Sequence, residues 1–179
     1  MGKSKSPLTD FKIQHAEKTK KYEKNKAEKK PKMAIFRLQA GQFPMKIIVE
    51  TPKYSFWKYC RTEKGYERAF FSPLPTIFNY GFIEGTKSPD GMEEDVVVLG
   101  PRLPRGSTLE RESFDGIVRF LDDSVRDDKK VIYISGFCSP FLLAFYFRLY
   151  ALFKVFLYAF QEGKITTCRF EGIVLRKLH

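Results

Sequence analysis

The stretch NYGFIEGTKSPDGMEEDVVVLG, residues 79–100, decides the fold and also points to a site. It holds five acidic residues and ends in the apolar run 96–99, which is typical of a buried β-strand. Carboxylates beside such a strand favour a divalent-metal site, because Mg²⁺ takes oxygen ligands. Met92 lies among these acids and offers only a thioether, a weak acceptor without charge. A thioether therefore stands where a metal site requires oxygen.

The rest of the chain is composed like a globular protein with a basic extension. Of its 179 residues 43% are hydrophobic and 16% aromatic, which excludes a disordered chain. Residues 1–32 hold eleven Lys and four acids, about +7 of the net charge of +11. We divide the chain into a Lys-rich extension, 1–33, and a domain, 34–179. A basic arm favours contact with RNA, an acidic membrane surface or an acidic protein surface over a merely solvated tail. Its candidate contact residues are Lys18, Lys20, Lys21, Lys24, Lys26, Lys29 and Lys30.

The cysteines and histidines indicate which cellular environment and which metal sites the sequence is compatible with. Cys60, Cys138 and Cys168 are scattered, no CxxC pair exists, and the chain has two histidines. This pattern argues against a zinc site and predicts a reducing, intracellular environment. No apolar segment follows the basic start, so no secretory signal is predicted. Cytoplasm and an organelle such as the mitochondrion stay open as alternatives.

Short strands separated by Gly, Pro and Asp turns dominate the middle of the chain. Such a pattern favours a small β-barrel or sandwich. A hairpin is expected around Gly65. Strands are predicted over residues 45–51, 56–61, 96–99, 113–123 and 129–136, with a final strand within 164–178.

A long apolar run near the C-terminus predicts a helix over 140–162 that ends at Gly163. The run is apolar nearly all round and is long enough to span a bilayer, which takes about 20 residues. Arg148 near its middle would cost about 2.5–3.5 kcal/mol there. A helix held between its own domain and a partner subunit is therefore favoured, and membrane contact by 140–160 is the alternative. Arg148 and Lys154 are candidate partner contacts.

Two acidic groups, within 90–95 and 122–128, lie at the ends of predicted strands. If those ends adjoin, four or more carboxylates face one another and require Mg²⁺ or basic side chains. Lys58, Arg68 and Lys130 are candidates for the basic side. Carboxylates, a metal and basic groups together describe a phosphate-handling site. Two ordinary acidic turns are the alternative.

The order of motifs resembles the soluble family I inorganic pyrophosphatases. The family typically reads V-E-I-P-K, four residues, K-Y-E; a later Arg; N-Y-G-F-I-P-x-T; D-G-D-P-x-D-V-x-V-L; and D, four residues, D-x-K. The resemblance covers roughly residues 34–175 and implies a mainly β fold with α, an OB-like five-stranded barrel with flanking helices. The matching segments are VETPKYSFWKYC (49–60), Arg68, NYGFIEGTKSPDGMEEDVVVL (79–99) and DSVRDDKK (123–130).

This resemblance implies roles for individual residues, with Mg²⁺ as cofactor and inorganic diphosphate as substrate. Four aspartates occupy metal-carboxylate positions, and Glu50 occupies the position of an active-site acid. Four further residues stand where the family contacts phosphate oxygens. The metal positions are Asp90, Asp95, Asp123 and Asp128, and the phosphate positions are Lys58, Arg68, Tyr80 and Lys130.

The sequence also departs from the family pattern at the site. Met92 replaces the aspartate that takes the proton of the attacking water, and a thioether neither ligates Mg²⁺ nor acts as a base. Cys60 replaces the glutamate of K-Y-E. Aligned through Gly163, the family's C-terminal Tyr-Lys pair falls on Leu157 and Tyr158, so its lysine is missing. Mg²⁺ is therefore expected to bind weakly or not at all.

These departures favour a catalytically inactive structural subunit of a large assembly, either a ribonucleoprotein or an organellar complex. Protein subunits, and RNA at the basic arm, are its expected partners. The alternative is a Mg²⁺-dependent inorganic pyrophosphatase that hydrolyses diphosphate to two phosphates. In that case Lys58, Arg68 and Lys130 would stabilise the leaving phosphate.

Overall fold

The computed structural model describes residues 44–88, 91–136 and 139–176. Within these residues the chain forms ten strands and one helix. The first five strands are β1 (Met45–Thr51), β2 (Trp57–Thr62), β3 (Gly65–Phe71), β4 (Asn79–Ile83) and β5 (Glu94–Leu99). They are followed by β6 (Thr108–Arg111), β7 (Gly116–Asp122), β8 (Val125–Arg126), β9 (Lys129–Tyr133), α1 (Pro140–Glu162) and β10 (Arg169–Leu175).

Eight of the strands form one sheet and two form a separate hairpin. The sheet order is β10-β7-β9-β5-β4-β1-β6, with β8 paired to β7. All its pairings are antiparallel except that of β5 with β9, which is parallel. The hairpin β2-β3 turns at Gly65, as predicted. Strands β4, β6 and β8 were not predicted, and α1 is the one helix of the described residues.

Strand alternation divides the apolar residues of the sheet between two cores. Val97 and Leu99 of β5, with Val131 of β9, pack with the buried side chains of α1, and we call this the helix-side core. Val96 and Ile132 point the other way and pack with β1, and we call this the outer core. Since alternate residues of a strand face opposite sides, a one-residue shift decides which core a side chain joins.

The NYGFI strand, β4, runs very close to β1. A Cβ at Gly81 would overlap the carbonyl oxygen of Ile48 on the paired strand. Glycine is therefore required at this position by close backbone approach rather than by an unusual φ angle. The contact fixes β4 against β1 and so positions Tyr80 on the helix-side face.

Helix α1 buries one face and exposes another, both apolar. Leu143 and Phe147 are buried in the helix-side core, and Gly163 ends the helix in the left-handed conformation with φ 62°. By length and composition Pro140–Gln161 can cross a membrane, with mean hydropathy 1.6 and 33% of its most apolar window buried. The apolar outer face predicted for this helix is present. It comprises Phe141, Leu142, Phe145, Leu152, Phe156 and Phe160.

Some of the predicted features lie outside the described residues. These are the basic arm, 1–33, with its seven candidate lysines between Lys18 and Lys30, and the candidate metal ligand Asp90. They stay predictions from the sequence.

Candidate functional site

A cavity of about 170 Å³ lies between the hairpin β2-β3, strand β4 and helix α1, on the helix-side face of the sheet. Its walls are mostly aromatic, and several polar groups converge on it. A largely apolar pocket with a few convergent polar groups is the usual form of a small-molecule site. The polar and thiol groups of its lining include those of Thr51, Lys58, Cys60, Tyr80, Asp122 and Lys154.

A buried lysine joins two carboxylates beside this cavity. The Nζ atom of Lys129 lies 2.6 Å from Oδ2 of Asp95 and 2.8 Å from Oδ2 of Asp127. The hydroxyl of Tyr80 donates to the same Asp95 oxygen. Lys129 is only 2% exposed, so its charge is held by these carboxylates and not by water.

A second buried pair ties helix α1 to the sheet. The Nζ atom of Lys154 lies 2.9 Å from Oδ2 of Asp122, and the Cys168 thiol donates to the other oxygen of that carboxylate at 3.3 Å. Burial acts to lower the pKa of Lys154, but the charge and hydrogen bond of Asp122, together with Tyr150 and Tyr158, outweigh burial and raise the pKa. Both groups are therefore charged when the protein is folded.

Lys58 differs from these two lysines in its surroundings. Its ammonium lies over the rings of Tyr80 and Tyr150, at 5.5 and 5.3 Å from their centroids. It has no salt bridge within the part of the chain that the structure describes. Burial, together with the charges of Lys129 and Lys154, lowers the pKa of Lys58 to about 7. An anion entering the cavity would stabilise its charged form.

The three aspartates of the cluster titrate differently because their surroundings differ. Burial acts to raise the pKa of Asp95, but the charge and hydrogen bond of Lys129 outweigh it and lower the pKa. The pKa of Asp122 is lowered in the same way by Lys154. Burial and the charges of Asp95 and Asp122 raise the pKa of Asp127 to about 6, despite Lys129.

The structure selects a register one residue earlier than the sequence assignment of the D-x₄-D-x-K motif. Asp123 accepts hydrogen bonds from Lys164 and Thr166, and Asp128 accepts them from the Phe120 backbone and Arg126, away from the cavity. Asp123 lies in the turn after β7 and Asp128 in the link before β9, and the contacts of neither reach Asp95. The residues that fill the motif positions at the site are instead Asp122, Asp127 and Lys129.

The prediction that Lys130 contacts phosphate depended on the same register, and the structure places Lys130 away from the cavity. It alternates with Lys129 along β9, so its side chain lies with the outer core over the ring of Phe114. Its ammonium is 3.8 Å from Oε1 of Glu94, which alternates with Asp95 along β5. Glu94 therefore points away from the cavity and does not replace a missing site carboxylate.

The two charges of α1 that were predicted as partner contacts lie on different faces. Lys154 is 6% exposed and is directed inward at Asp122, so it is a site residue rather than an outer-face contact. Arg148 is exposed, with its guanidinium over the Phe170 ring at 5.6 Å. Alignment through Gly163 puts Tyr158 at the position of the family's C-terminal lysine. In the structure Lys154, one turn earlier in the helix, brings a buried ammonium to the cavity.

Glu50 lies close enough to Asp95 for the charge of that carboxylate to act on its pKa. Its Oε1 atom accepts a hydrogen bond from the Arg61 backbone at 2.8 Å. Burial raises the pKa of Glu50 to about 7, helped by the charges of Asp95 and Glu93. Cys60 lines the cavity itself, and burial also raises the pKa of its thiol. A neutral thiol supplies no charge to a ligand.

Two further positions of the motif are on the surface. Arg68 is exposed and stacks over the ring of Trp57 at 4.9 Å, so the structure does not bring it to the cavity. Met92 is 47% exposed, in the turn before β5. Glu93, beside it, accepts a hydrogen bond from the Gly85 backbone at 3.0 Å. Neither Met92 nor Glu93 completes a ligand set around Asp95.

These carboxylates do not fit a magnesium ion in the arrangement observed. The ammonium of Lys129 fills the space between Asp95 and Asp127, where an octahedral ion with oxygens at about 2.1 Å would have to lie. Among the described residues, no group of three or more His, Cys, Asp or Glu side chains is arranged to hold a metal ion. Met92 adds no oxygen ligand.

The pattern of strand β7 contained the signal that selects the correct aspartate. Its residues Gly116, Val118 and Phe120 alternate inward, so the next position in phase is Asp122, not Asp123. Lys154 had a weaker signal, because a charge in an apolar helix is compatible with either face. Its partner Asp122 lies on a distant strand, and only the fold brings the two together.

Comparison with known proteins identifies the family. The sequence model of the family described as inorganic pyrophosphatase matches residues 12–139, well over half of the chain. An inorganic pyrophosphatase of Corynebacterium efficiens is 32% identical over 89 residues, which are 48% of this chain and 56% of the relative. One of Corynebacterium glutamicum is 30% identical over the same shares. The chain thus spans little more than half the length of the curated relatives it matches.

Solved structures share the fold. An inorganic pyrophosphatase from Neisseria gonorrhoeae superposes with TM-score 0.59 at 23% identity, over 78% of this chain and 88% of that one. One from Thermus thermophilus gives TM-score 0.62 at 18% identity, over the same shares. The prediction of a mainly β, OB-like fold with α is confirmed. With a matching family model and the shared fold, the chain belongs to the inorganic pyrophosphatase family.

Proposed function

We propose that this protein binds inorganic diphosphate in the cavity and hydrolyses it to two phosphates. The observation that carries the proposal is the convergence of three buried lysines and three aspartates on one face of the sheet. Ammonium groups bind phosphate oxygens as compact charges. The relatives named inorganic pyrophosphatase support hydrolysis over the inactive subunit that the sequence favoured.

Each group has a separate task in this proposal. Lys58 lacks a carboxylate partner in the described residues and faces the cavity, so it is the lysine most available to the ligand. Lys154, which also lines the cavity, adds a second ammonium near the leaving phosphate, where positive charge stabilises the charge that develops. These contacts orient the diphosphate in the aromatic cavity.

The attacking water requires a base, and position 92 does not supply one. Glu50 and Asp127 have pKa values raised to about 7 and about 6, close to the pH at which a general base works best. Either carboxylate can take the proton of a water held beside Asp95. Magnesium dependence is general in the family, whereas here the ammonium of Lys129 lies between the carboxylates of Asp95 and Asp127.

A non-catalytic subunit is the second candidate. Met92 and Cys60 favour it, because both replace site carboxylates of the resembled motif. The exposed aromatic face of α1 also favours it, since large apolar patches mark interaction surfaces. In this case protein subunits would cover the helix and the basic arm would contact an anionic partner such as RNA.

Phosphate release from diphosphate by the full chain, with and without Mg²⁺, tests the two candidates. Turnover that Asp95→Asn abolishes and Glu94→Gln leaves intact supports hydrolysis. Glu94 is a matched control because it neighbours Asp95 and points to the opposite face. Diphosphate binding without turnover under any metal condition would support the non-catalytic candidate.

A further inference from the structure

The aromatic walls of the cavity leave room for more than an anion. Phe78 and Phe147 stack with 5.4 Å between their ring centroids, and Tyr146 meets Phe78 edge-on at 5.0 Å. All three line the cavity, and the lining from the hairpin β2-β3 includes the small residues Cys60 and Ala69. The cavity volume of about 170 Å³ is comparable with that of an apolar protein cavity of about 150 Å³ that binds benzene. One six-membered ring therefore fits here.

The hydroxyl group of Tyr146 is a second observation that points to a ligand. Among the residues that the structure describes, it is the one buried side-chain nitrogen or oxygen atom without a hydrogen-bond partner. Buried polar groups are nearly always hydrogen-bonded, so such an atom requires an explanation. The described ring contacts of Tyr146 are with Phe78, Phe147 and Tyr150. A water would need about two to four polar partners, and the faces of these rings supply none. A ligand with a polar atom on its ring would supply the missing partner.

Lys58 supplies the anion-binding group of the same cavity. Its ammonium lies 5.3 Å from the centroid of the Tyr150 ring, and that ring stacks on the ring of Tyr146 at 6.1 Å. Within the described residues Lys58 has aromatic rings rather than a carboxylate as its close contacts. A ligand made of one phosphate group and one ring is therefore long enough to contact both Lys58 and Tyr146.

We propose that this cavity binds a phosphate ester of a single aromatic ring that carries a polar substituent. The phosphate contacts Lys58, the ring lies against Phe78 and Phe147, and the substituent makes a hydrogen bond with the hydroxyl of Tyr146. Entry of a phosphate group into this cavity rests on the function proposed above. The ring and its substituent rest instead on the aromatic walls and the unpartnered hydroxyl, which inorganic diphosphate would leave uncovered.

Isothermal titration calorimetry of the full chain with phenyl phosphate and with methyl phosphate, at neutral pH, tests for the ring. The two esters carry nearly the same charge and differ in the organic group. Because burial of a ring favours binding, we expect phenyl phosphate to bind at least about tenfold more tightly. Equal binding, or no binding of either ester, would overturn the inference and leave hydrolysis of inorganic diphosphate standing. Tighter binding of phenyl phosphate by a chain that releases no phosphate from diphosphate would support the inference and overturn the proposed hydrolysis.

The three isomers of hydroxyphenyl phosphate test the role of the Tyr146 hydroxyl. We expect at least one isomer to bind more tightly than phenyl phosphate, by about threefold to tenfold, because it pairs with this hydroxyl. In Tyr146→Phe this preference should disappear while the affinity for phenyl phosphate is kept, since the variant retains the aromatic wall. Absence of a preferred isomer, or a preference that Tyr146→Phe retains, would overturn the assignment of the substituent.

Lys58→Met tests where the phosphate binds. Because no carboxylate partner of Lys58 is described, the substitution leaves no unpaired charge among the described residues. We expect the affinity for phenyl phosphate to fall by at least about tenfold. The matched control is Lys64→Met, which removes the same charge from the exposed turn of the same hairpin and should bind as the unchanged protein does. Equal affinities of the two variants, each shown to be folded by circular dichroism and a thermal melt, would overturn the placement of the phosphate.

Discussion

The Nζ atom of Lys154 in the middle of α1 lies 2.9 Å from Oδ2 of Asp122 at the end of β7. This pair is the ionic link between the helix and the sheet at the cavity. Both members are largely buried, with side-chain exposures of 7% and 18%. Removing one member leaves the other as an uncompensated charge in a poorly solvated place.

We therefore expect Lys154→Met to lower the free energy of unfolding by about 3–5 kcal/mol. Lys154→Met combined with Asp122→Asn should lose less, because no unpaired charge is left. Urea denaturation at neutral pH measures both values. A double variant as unstable as the single one would contradict this account of the pair.

Glu50 makes stability depend on pH. Its pKa is about 7 in the folded protein against an ordinary value of 4.5, so the unfolded state ionises first. The free energy of unfolding therefore falls as the pH rises from about 4.5 to 7, and then levels. Because one pKa unit is about 1.4 kcal/mol, this fall amounts to at most about 3.5 kcal/mol.

Glu50→Gln removes that fall while an amide oxygen can still accept the Arg61 hydrogen bond. We expect the variant to match the unchanged protein below pH 4.5 and to exceed it in stability at pH 8. Thermal melts across this range make the comparison. Parallel pH profiles for the two proteins would contradict the raised pKa.

Substitution of Met92 by an acid tests whether a carboxylate at this position is enough to give Mg²⁺-stimulated phosphate release. In Met92→Asp the new carboxylate lies in an exposed turn, and Lys129 still joins Asp95 and Asp127. We expect Mg²⁺-stimulated phosphate release to change by less than about tenfold, or about 1.4 kcal/mol of barrier. A larger gain from this single change would show that Lys129 yields its carboxylates to a metal.

Gly81→Ala tests the close approach of β4 to β1. The added Cβ would overlap the Ile48 carbonyl, so the strands must separate or the variant must unfold. Overpacking of this kind costs about 1–3 kcal/mol, and more when backbone must move. A thermal melt measures the loss, and a melt within one degree of the unchanged protein would contradict the geometry.

The sequence predicted more of the fold than of the site, for a physical reason. Strand and helix patterns are local: the run 45–51 and the helix 140–162 appear in the structure with those bounds or within one residue of them. The four-residue strand β6 has too little pattern to stand out. Site residues depend on which side of a strand faces the helix, and Asp122 and Asp123 differ by one step of that alternation. The partner of Lys154 is set by packing across the whole domain, which local patterns do not contain.

The parallel pairing of β5 with β9 has a consequence for the order of folding. These strands carry Asp95 and Lys129, which are 34 positions apart in the chain. Two parallel neighbours cannot be joined by a tight turn, so the intervening chain must be organised before they meet. The entropy of closing that loop is lost before the pair is formed. We therefore expect the ion cluster to form late in folding, because a chain that has only its hairpins in place has not yet brought Asp95 and Lys129 together.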